Sequence, residues 1–415
     1  MHGAGGATRR RQLVNAALVA NALRPVPGTP ASVPAMFAGW LTGELAPHLL
    51  AATTLDAGWR LARDGVRGER GSLALTALTA AGYAALIARA QGARREIEDA
   101  LAEAIGDGHE QLPRVPDLAT PWRSLVNPFR MGHVDVVATR KLPYADGGRR
   151  FELDVYRHRE PAGPSPVLLQ IHGGGWVIGE KEQQGMPLMM RMAALGWTCV
   201  AINYPLSPKA RWPQHIVAVK RAIAWIREHA DEHGADPSFI AVTGGSAGGH
   251  LAALAALTAN DPAFQPGFED VDTAVQACVP NYAVYDFTDE SGTRASKVRL
   301  RSLVRRWVMP REARYPDDYR AASPLFRVHA EAPPFFVLHG TNDTLVPVAD
   351  ARAFVSELRA VAKNPVAYAE LHGAQHAYDI FSSIRAAHVV RGVERFLEWA
   401  RATNAADRES APLRR

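Results

Sequence analysis

Residues 242–250 read V-T-G-G-S-A-G-G-H and contain the pattern Gly244-x-Ser246-x-Gly248. The short β-type run Phe239–Thr243 leads into it, and the Ala/Leu-rich segment that follows is a strong helix former. The pattern therefore predicts a strand, a tight turn and a helix, with the Ser246 hydroxyl at the turn. Glycines are needed two residues either side of the serine, because side chains there would collide across so tight a bend.

A second glycine-rich turn follows another apolar, strand-like run. Residues 167–171 read V-L-L-Q-I and lead into residues 172–176, H-G-G-G-W. Consecutive glycines let the backbone approach a ligand closely with its N–H groups free, which is what stabilising an oxyanion requires. The residues of this turn are His172, Gly173, Gly174, Gly175 and Trp176.

Asp343 is the acidic residue that we expect to orient a catalytic base. It follows the buried-strand pattern F-F-V-L-H-G at residues 335–340. Functional groups of α/β sheets lie beyond the carboxyl ends of the strands, and a carboxylate there can hold an imidazole in one tautomer. A lone aspartate in a turn more often forms an Asx turn. Its position after Ser246 and before the next histidines favours the catalytic interpretation.

His376 is the predicted general base. It lies in the loop after the strand-like run V-A-Y-A-E-L at residues 366–371. A histidine can take the proton of a serine near pH 7 and return it to a leaving group. The chain has 15 histidines, and His372 and His388 are the nearest competitors. We prefer His376 because it follows the strand in the loop rather than lying at the strand end.

These four motifs, in this order, resemble the hormone-sensitive-lipase family of α/β-hydrolase esterases, in its actinobacterial branch with a long N-terminal extension. The resemblance covers about residues 130–400. It implies a mostly parallel central sheet flanked by helices, with a helical N-terminal cap or extension. It also implies Ser246 as nucleophile and Asp343 and His376 as its triad partners. The backbone oxyanion donors would be Gly174, Gly175 and Ala247, and the residues supporting the motifs would be His172, Gly173, Gly244 and Gly248.

The chain departs from the family pattern at two places. The residue before the serine is often Asp in the family but is Gly245 here. The family often has Tyr-Arg-Leu-Ala-Pro-Glu after the next strand, where residues 204–209 of this chain read Y-P-L-S-P-K. Any ion pair that the arginine and glutamate make in relatives is therefore in doubt here.

The alternation of strand-like and helix-like segments predicts three regions. Residues 1–130 form a helical extension and linker that caps the site or associates with a membrane, and within it residues 1–32 are peripheral or disordered. Residues 131–402 form the α/β catalytic domain, and residues 403–415 form a disordered tail. Residues 71–88 carry no charge; their Ala, Thr and Gly content favours a buried or interfacial helix over a spanning one.

Composition narrows the classes of partner. The formal net charge is +5, and 47% of residues are hydrophobic, which is ordinary for a globular protein. No nucleotide-binding loop or metal-ligand spacing occurs in the sequence, so we expect no cofactor and no metal. Nothing indicates nucleic-acid binding. Arginines near the N-terminus leave peripheral membrane or lipid contact through residues 1–110 open, and no convincing signal peptide precedes them. The location is cytoplasmic or membrane-associated.

The predicted function is that of a serine carboxylesterase or lipase-like hydrolase, acting on a small acyl ester of short to medium chain length through an acyl-enzyme at Ser246. An arylformamidase-like amide hydrolase with the same machinery is the alternative among enzymes. A non-catalytic ligand receptor on the same fold is the alternative outside them. The sequence does not specify the oligomeric state.

Overall fold

The computed structural model describes residues 2–25, 32–106, 108, 122–290 and 301–410. Eight strands of the described chain form one sheet: β1 Val136–Pro143, β2 Glu152–His158, β3 Ser165–Ile171, β4 Thr198–Ile202, β5 Ala235–Gly245, β6 Ala277–Asn281, β7 Phe335–Gly340 and β8 Val366–Leu371. Their spatial order is β1-β2-β4-β3-β5-β6-β7-β8. The strand β2 runs antiparallel to both its neighbours, and the pairs from β4 to β8 are parallel. The predicted α/β-hydrolase fold is confirmed.

Helices cover both faces of this sheet, which is why its central strands are apolar throughout rather than alternating. The described helices are α1 His2–Leu23, α2 Ser32–Glu44, α3 Ala46–Ile105, α4 Trp122–Val126, α5 Met186–Ala194, α6 Gln214–Glu228, α7 Ala247–Leu257, α8 Asp317–Ala321, α9 Val348–Val361 and α10 Ile384–Ser410. One core contains α6, α7 and α9, and the other contains α5, α10 and the end of α3.

The segment α3 is a helical hairpin rather than one straight helix. Gly65 interrupts it with φ +68° and ψ +169°. The Arg60 guanidinium donates to the Thr76 hydroxyl at 3.3 Å, although sixteen residues of straight helix would span about 24 Å. The chain therefore turns back on itself after Gly65, and α1 packs against both arms through Gln12, which bonds Thr76 at 3.0 Å.

The second arm of α3 belongs to the core of the protein. A stripe with three- and four-residue spacing is buried along it: Tyr83, Leu86, Ala90, Ala93, Ile97, Ala100 and Leu101. This spacing is one face of an α-helix. By length and composition the stretch Ser72–Ile105 could cross a membrane, but its buried stripe packs against the protein's own helices and strands.

The disorder expected at the two ends of the chain is not found where the structure describes them: both ends are helical there. Residues 2–23, expected to be peripheral or disordered, form α1 and pack against α2 and α3. Residues 403–410, expected to belong to a disordered tail, are the last turns of α10. Residues 411–415 and most of the predicted linker before residue 130 lie outside the described residues.

Candidate functional site

Ser246 lies at the turn between β5 and α7, as its sequence pattern predicts. Its backbone has φ +57° and ψ −122°, a region that costs non-glycine residues about 1–3 kcal/mol. The backbone N–H of Ser246 donates to the Asn281 carbonyl at 3.0 Å, and its carbonyl accepts from the His250 N–H at 2.9 Å. These bonds hold the strained turn, and the side chain stays half-buried.

The glycines that flank Ser246 are required by contact. A β-carbon on Gly244 would lie 2.5 Å from the Ile171 carbonyl oxygen, and one on Gly248 would lie 2.6 Å from the His172 oxygen. Real side chains do not approach backbone so closely. The serine turn is therefore pressed against the end of β3, where the glycine-rich turn begins.

The turn at residues 172–176 lies directly beside Ser246. A β-carbon placed on Gly173 would be 3.2 Å from Ser246 Cβ. The Gly173 N–H donates to Gln184 Oε1 at 2.7 Å, and His172 Nδ1 bonds the Gly173 carbonyl at 2.7 Å. Burial lowers the pKa of His172 to about 4, so the ring is neutral and Nδ1 is the donor. Gln184 was not predicted, since nothing in its local sequence marks it.

Three backbone N–H groups fit the role of oxyanion donors. Gly174 and Gly175 have φ of +117° and +60°, conformations that suit glycine, and Ala247 is the first residue of α7. Among the described residues, none of these three N–H groups has a hydrogen-bond partner. The amino end of α7 adds the positive end of a helix dipole at the same place. The arrangement can stabilise a developing negative charge beside Ser246.

The Asp343 carboxylate is fully buried and accepts four hydrogen bonds or close contacts. Oδ1 accepts from the backbone N–H groups of Leu345 and Val346, both at 2.9 Å. Oδ2 lies 2.7 Å from His376 Nδ1 and 3.4 Å from His339 Nε2. Burial acts to raise the pKa of this carboxyl, but the two histidines outweigh it and hold the pKa below its ordinary value of 3.8. Asp343 is therefore ionised across the physiological range.

The loop that contains Asp343, between β7 and α9, is called the acid loop below. Both the backbone and the side chain of His376 are held against this loop. Gln375 Oε1 accepts from the N–H groups of both Thr344 and His376, each at 2.9 Å. With Nδ1 donating to Asp343, Nε2 of His376 carries the lone pair of the neutral ring and is free to accept a proton. Sequence reasoning identified neither Gln375 nor His339, because nothing in their local sequence marks them.

The competing histidines do not reach Asp343. His372 is exposed, and its backbone N–H donates to Glu96 at 3.0 Å. His388 Nε2 bonds Gln91 Oε1 at 2.9 Å on the α3 side of α10. Among the described residues, His376 is the histidine that both touches Asp343 and follows a strand of the sheet at its carboxyl end.

Gly245, the departure from the family pattern, makes room for Tyr282. A β-carbon on Gly245 would lie 2.6 Å from Tyr282 Cζ. The Tyr282 ring packs against the His376 ring with centroids 4.6 Å apart, and its hydroxyl donates to Asp379. Tyr282 thus bridges the serine turn and the histidine loop. The glycine and the tyrosine are two halves of one arrangement, which only the structure reveals.

The other departure, residues 204–209, is held by neutral hydrogen bonds. The Ser207 hydroxyl lies 3.1 Å from His215 Nε2 and donates to the Ala210 carbonyl at 2.9 Å. Burial lowers the pKa of His215 to about 3, so this ring is neutral. The Tyr204 hydroxyl donates to the His172 carbonyl at 3.0 Å and supports the glycine-rich turn.

The N-terminal helices contact the acid loop directly. Asn342 Nδ2 donates to the Ala22 and Leu23 carbonyls at the end of α1, at 3.0 and 3.3 Å. The Thr344 hydroxyl donates to the Ser32 carbonyl at 3.2 Å. The residues on either side of Asp343 therefore depend on helices that begin more than 300 residues earlier in the chain.

Two cavities border the glycine-rich turn. One of about 360 Å³ is lined by Gly174 together with Val177, Leu206 and Arg150. A larger one of about 790 Å³ shares the last three residues and continues past Phe151. The larger cavity is mainly apolar with a few polar groups, as small-molecule sites are, whereas polar groups make up more of the lining of the smaller one. Among the described residues, no group of three or more His, Cys, Asp or Glu side chains could hold a metal ion.

The segment that follows β6 is partly described. Leu303 Cδ1 lies 3.8 Å from the β-carbon position of Gly175, so this segment does reach the glycine-rich turn. Residues 291–300 lie outside the described residues. The methionines of α5 are buried in the core that this helix shares with α10.

Comparison with known proteins finds esterases among the relatives of this chain. Residues 153–358 match the BD-FAE family. The chain is 52% identical over 291 residues to the probable carboxylic ester hydrolase LipM of Mycobacterium tuberculosis (strain ATCC 25618 / H37Rv), covering 69% of this chain and 67% of LipM. It is 43% identical over 291 residues to esterase LipC of the same strain, covering 68% of this chain and 71% of LipC.

A solved structure shares the fold. Esterase B from Lactobacillus rhamnosis, in its C6-C4 SN3 inhibited form, superposes with a TM-score of 0.55 and 16% identity, covering 67% of this chain and 92% of that one. At this identity the likeness speaks for the fold alone. Combined with 52% identity to LipM, it shows that the chain belongs to the hormone-sensitive-lipase family of α/β-hydrolase esterases, as its motifs predict.

Proposed function

We propose that this esterase cleaves short- to medium-chain acyl esters through an acyl-enzyme at Ser246. The observation that carries the proposal is the 2.7 Å bond between His376 Nδ1 and Asp343 Oδ2, in loops that follow strands of the same parallel sheet as the serine turn. A buried, ionised carboxylate aimed at a histidine has this orienting role in serine hydrolases.

The chemistry follows from the protonation states. His376 Nε2 takes the proton of the Ser246 hydroxyl as its oxygen attacks the ester carbonyl carbon. The N–H groups of Gly174, Gly175 and Ala247 donate hydrogen bonds to the carbonyl oxygen as it becomes negatively charged. His376 returns the proton to the departing alcohol. Water then attacks the acyl-enzyme by the same route and releases the acid.

The size of the cavities supports a small substrate. The space of about 360 Å³ beside Gly174 is at the lower end of ligand sites. Val177 and Leu206 offer apolar contact to an acyl or alcohol group. We therefore expect turnover of p-nitrophenyl esters to fall once the acyl chain exceeds medium length.

The test is substitution of the nucleophile. Ser246→Ala should reduce hydrolysis of p-nitrophenyl butyrate by about 10⁴-fold or more, and a fluorophosphonate should label the wild type but not the variant. Ser246 has few side-chain contacts, so circular dichroism should report an unchanged fold. Activity retained in Ser246→Ala would refute the assignment, and absence of labelling in folded wild type would favour a receptor.

The amide alternative uses the same groups and needs a separate measurement. Turnover of formanilide and of p-nitrophenyl acetate by the same preparation compares the two substrate classes directly. The proposal expects the ester to be preferred. A higher kcat/KM for the amide would assign the site to an amidase-like reaction.

A further inference from the structure

The half of the N-terminal helices farthest from the sheet exposes large apolar side chains. We define the distal surface as residues 9–16 of α1 with residues 52–63 and 72–80 of the α3 hairpin. Leu55 is 75% exposed, Trp59 60% and Leu78 69%. Leu13 and Val14 are also exposed. Folded proteins rarely leave such a group uncovered without a partner for it.

Polar contacts hold together the helical segments that carry these side chains. Arg11 pairs with Asp56 at 2.6 Å, so the turn of α1 that carries Leu13 and Val14 packs beside the turn of α3 that carries Leu55. Gln12 bonds Thr76 at 3.0 Å, which brings the same turn of α1 level with Leu78. The exposed apolar groups therefore lie on neighbouring turns of three helical segments that pack together.

The charge of the distal surface is positive. It contains five arginines and one aspartate, and the aspartate, Asp56, pairs with both Arg11 and Arg60. Arg9 and Arg10 are exposed. The Arg63 guanidinium lies 4.6 Å over the Trp59 ring, so a cation and an aromatic ring face solvent together.

We propose that the distal surface docks this protein peripherally on an anionic lipid bilayer. Exposed Leu and Trp can enter the interface between headgroups and acyl chains, and tryptophan favours that depth. Each arginine near an anionic surface adds attraction. A second copy of the chain is a poorer partner, because two such surfaces brought face to face would oppose positive charge with positive charge.

The docking is peripheral because the rest of the hairpin is already engaged. Leu86, Ile97 and Leu101 of the second arm are buried in the protein, so that arm cannot slide into lipid without uncovering the core. α1 runs from the distal surface to the acid loop, where Asn342 binds its last carbonyls. Ten residues of helix separate Leu13 from Leu23, so the end of α1 that binds Asn342 lies about 15 Å along the helix from Leu13.

The test measures binding of the full chain to vesicles. Wild type should sediment with vesicles of equal phosphatidylcholine and phosphatidylglycerol at 50 mM NaCl, and at least tenfold less with phosphatidylcholine alone or at 500 mM NaCl. Leu55→Ser with Trp59→Ser should weaken binding at least tenfold. The matched control is Val134→Ser with Val361→Ser, which removes exposed apolar groups from the catalytic domain and should bind like wild type.

Esterase activity on a soluble ester checks that each variant is folded and should equal wild type in both. Should the Leu55/Trp59 variant fail to fold, Arg9→Gln with Arg10→Gln should lower binding instead. The proposal is overturned if wild type does not bind anionic vesicles, or if the distal variants bind as wild type does. It is also overturned if wild type is a dimer that the distal variants dissociate and no vesicle binding occurs. Because Ser246→Ala leaves this surface untouched, it should still bind, which separates this proposal from the catalytic one.

Discussion

Side chains are enclosed and hydrogen-bonded in the loops at the carboxyl ends of the strands, whereas apolar side chains are exposed on the distal surface of the helices. In the loops, Asp343 accepts from backbone and histidine donors, and Gly245 and Gly248 leave no space for a β-carbon. On the distal surface, Leu55 and Trp59 lie in solvent. The polar groups of the first region find their partners within the protein. The exposed apolar groups of the second region have the composition of a surface that binds an external partner.

Removing the charge of Asp343 tests the loops at the carboxyl ends of the strands, and it has the largest expected effect on kcat. Asp343→Asn keeps an oxygen for the Leu345 and Val346 N–H groups but turns an amide toward His376, which favours the wrong tautomer. We expect kcat to fall by about 10⁴-fold. Steady-state kinetics with p-nitrophenyl butyrate measures it.

The control is Asp236→Asn, which keeps the turn in which Asp236 accepts from the Ser238 N–H at 2.9 Å. It should retain wild-type activity. If Asp343→Asn were equally active, Asp343 would be only a turn former, which is the alternative that its sequence context leaves open.

Burial of His172 in the glycine-rich turn predicts that the stability of the fold depends on pH. An unfolded histidine binds a proton below pH 6.5, whereas His172 stays neutral down to about pH 4. The unfolded state therefore binds more protons between these values, and stability rises with pH across this window. The contribution is at most about 3 kcal/mol. Urea unfolding between pH 4.5 and 7.5 measures it.

His172→Gln should make that slope shallower, while His372→Gln, which removes an exposed histidine, should leave it as in wild type. An equal slope in wild type and His172→Gln would mean that the ring is protonated in the folded state, and the glycine-rich turn would then be held differently.

Filling the space at Gly245 tests whether its closeness to Tyr282 matters. Gly245→Ala should push the Tyr282 ring into the His376 ring and displace the base. A misplacement of about 1 Å can cost 10²-fold in rate, so we expect kcat to fall by about that factor. Gly43→Ala is the matched control, because nothing lies within 4 Å of its β-carbon position. Wild-type kinetics in Gly245→Ala would show that Tyr282 moves away without disturbing His376.

Asn342 connects the two regions, and its removal should have the smallest effect. Asn342→Ala frees the end of α1 from the acid loop, and we expect kcat to fall about tenfold with little change in KM. Asn364→Ala removes a comparable bond to the Ala332 carbonyl, 2.8 Å long, far from the triad loops. Equal activities in these two variants would mean that the helices support the fold but not the acid loop.

The site residues could be predicted because each chemical role leaves a local mark. A serine turn needs glycines on both sides, an oxyanion turn needs consecutive glycines, and an acid or base follows a strand. The geometry brings Asp343 and His376 together and brings Gly173 beside Ser246. Gln184, Gln375 and His339 could not be predicted, since nothing in their local sequence marks the contacts that they make in the folded chain.

The N-terminal region also shows what the sequence could not predict. Its apolar content indicates helices, but periodicity cannot say which apolar face will find a partner. The structure buries Leu86 among the N-terminal helices and Ile97 against the catalytic domain, and it leaves Leu55 and Leu78 exposed. It also turns the chain back after Gly65.

The amino-acid sequence by itself determined the fold class, the order of the motifs and the residues of the candidate triad, because backbone geometry and side-chain chemistry constrain those positions locally. Only the tertiary structure decided why Gly245 replaces a larger residue, which groups hold the histidine, and which helical surface stays open. Those properties depend on contacts between segments that are distant in sequence, and the free energy of such contacts is set by burial and packing that no local pattern contains.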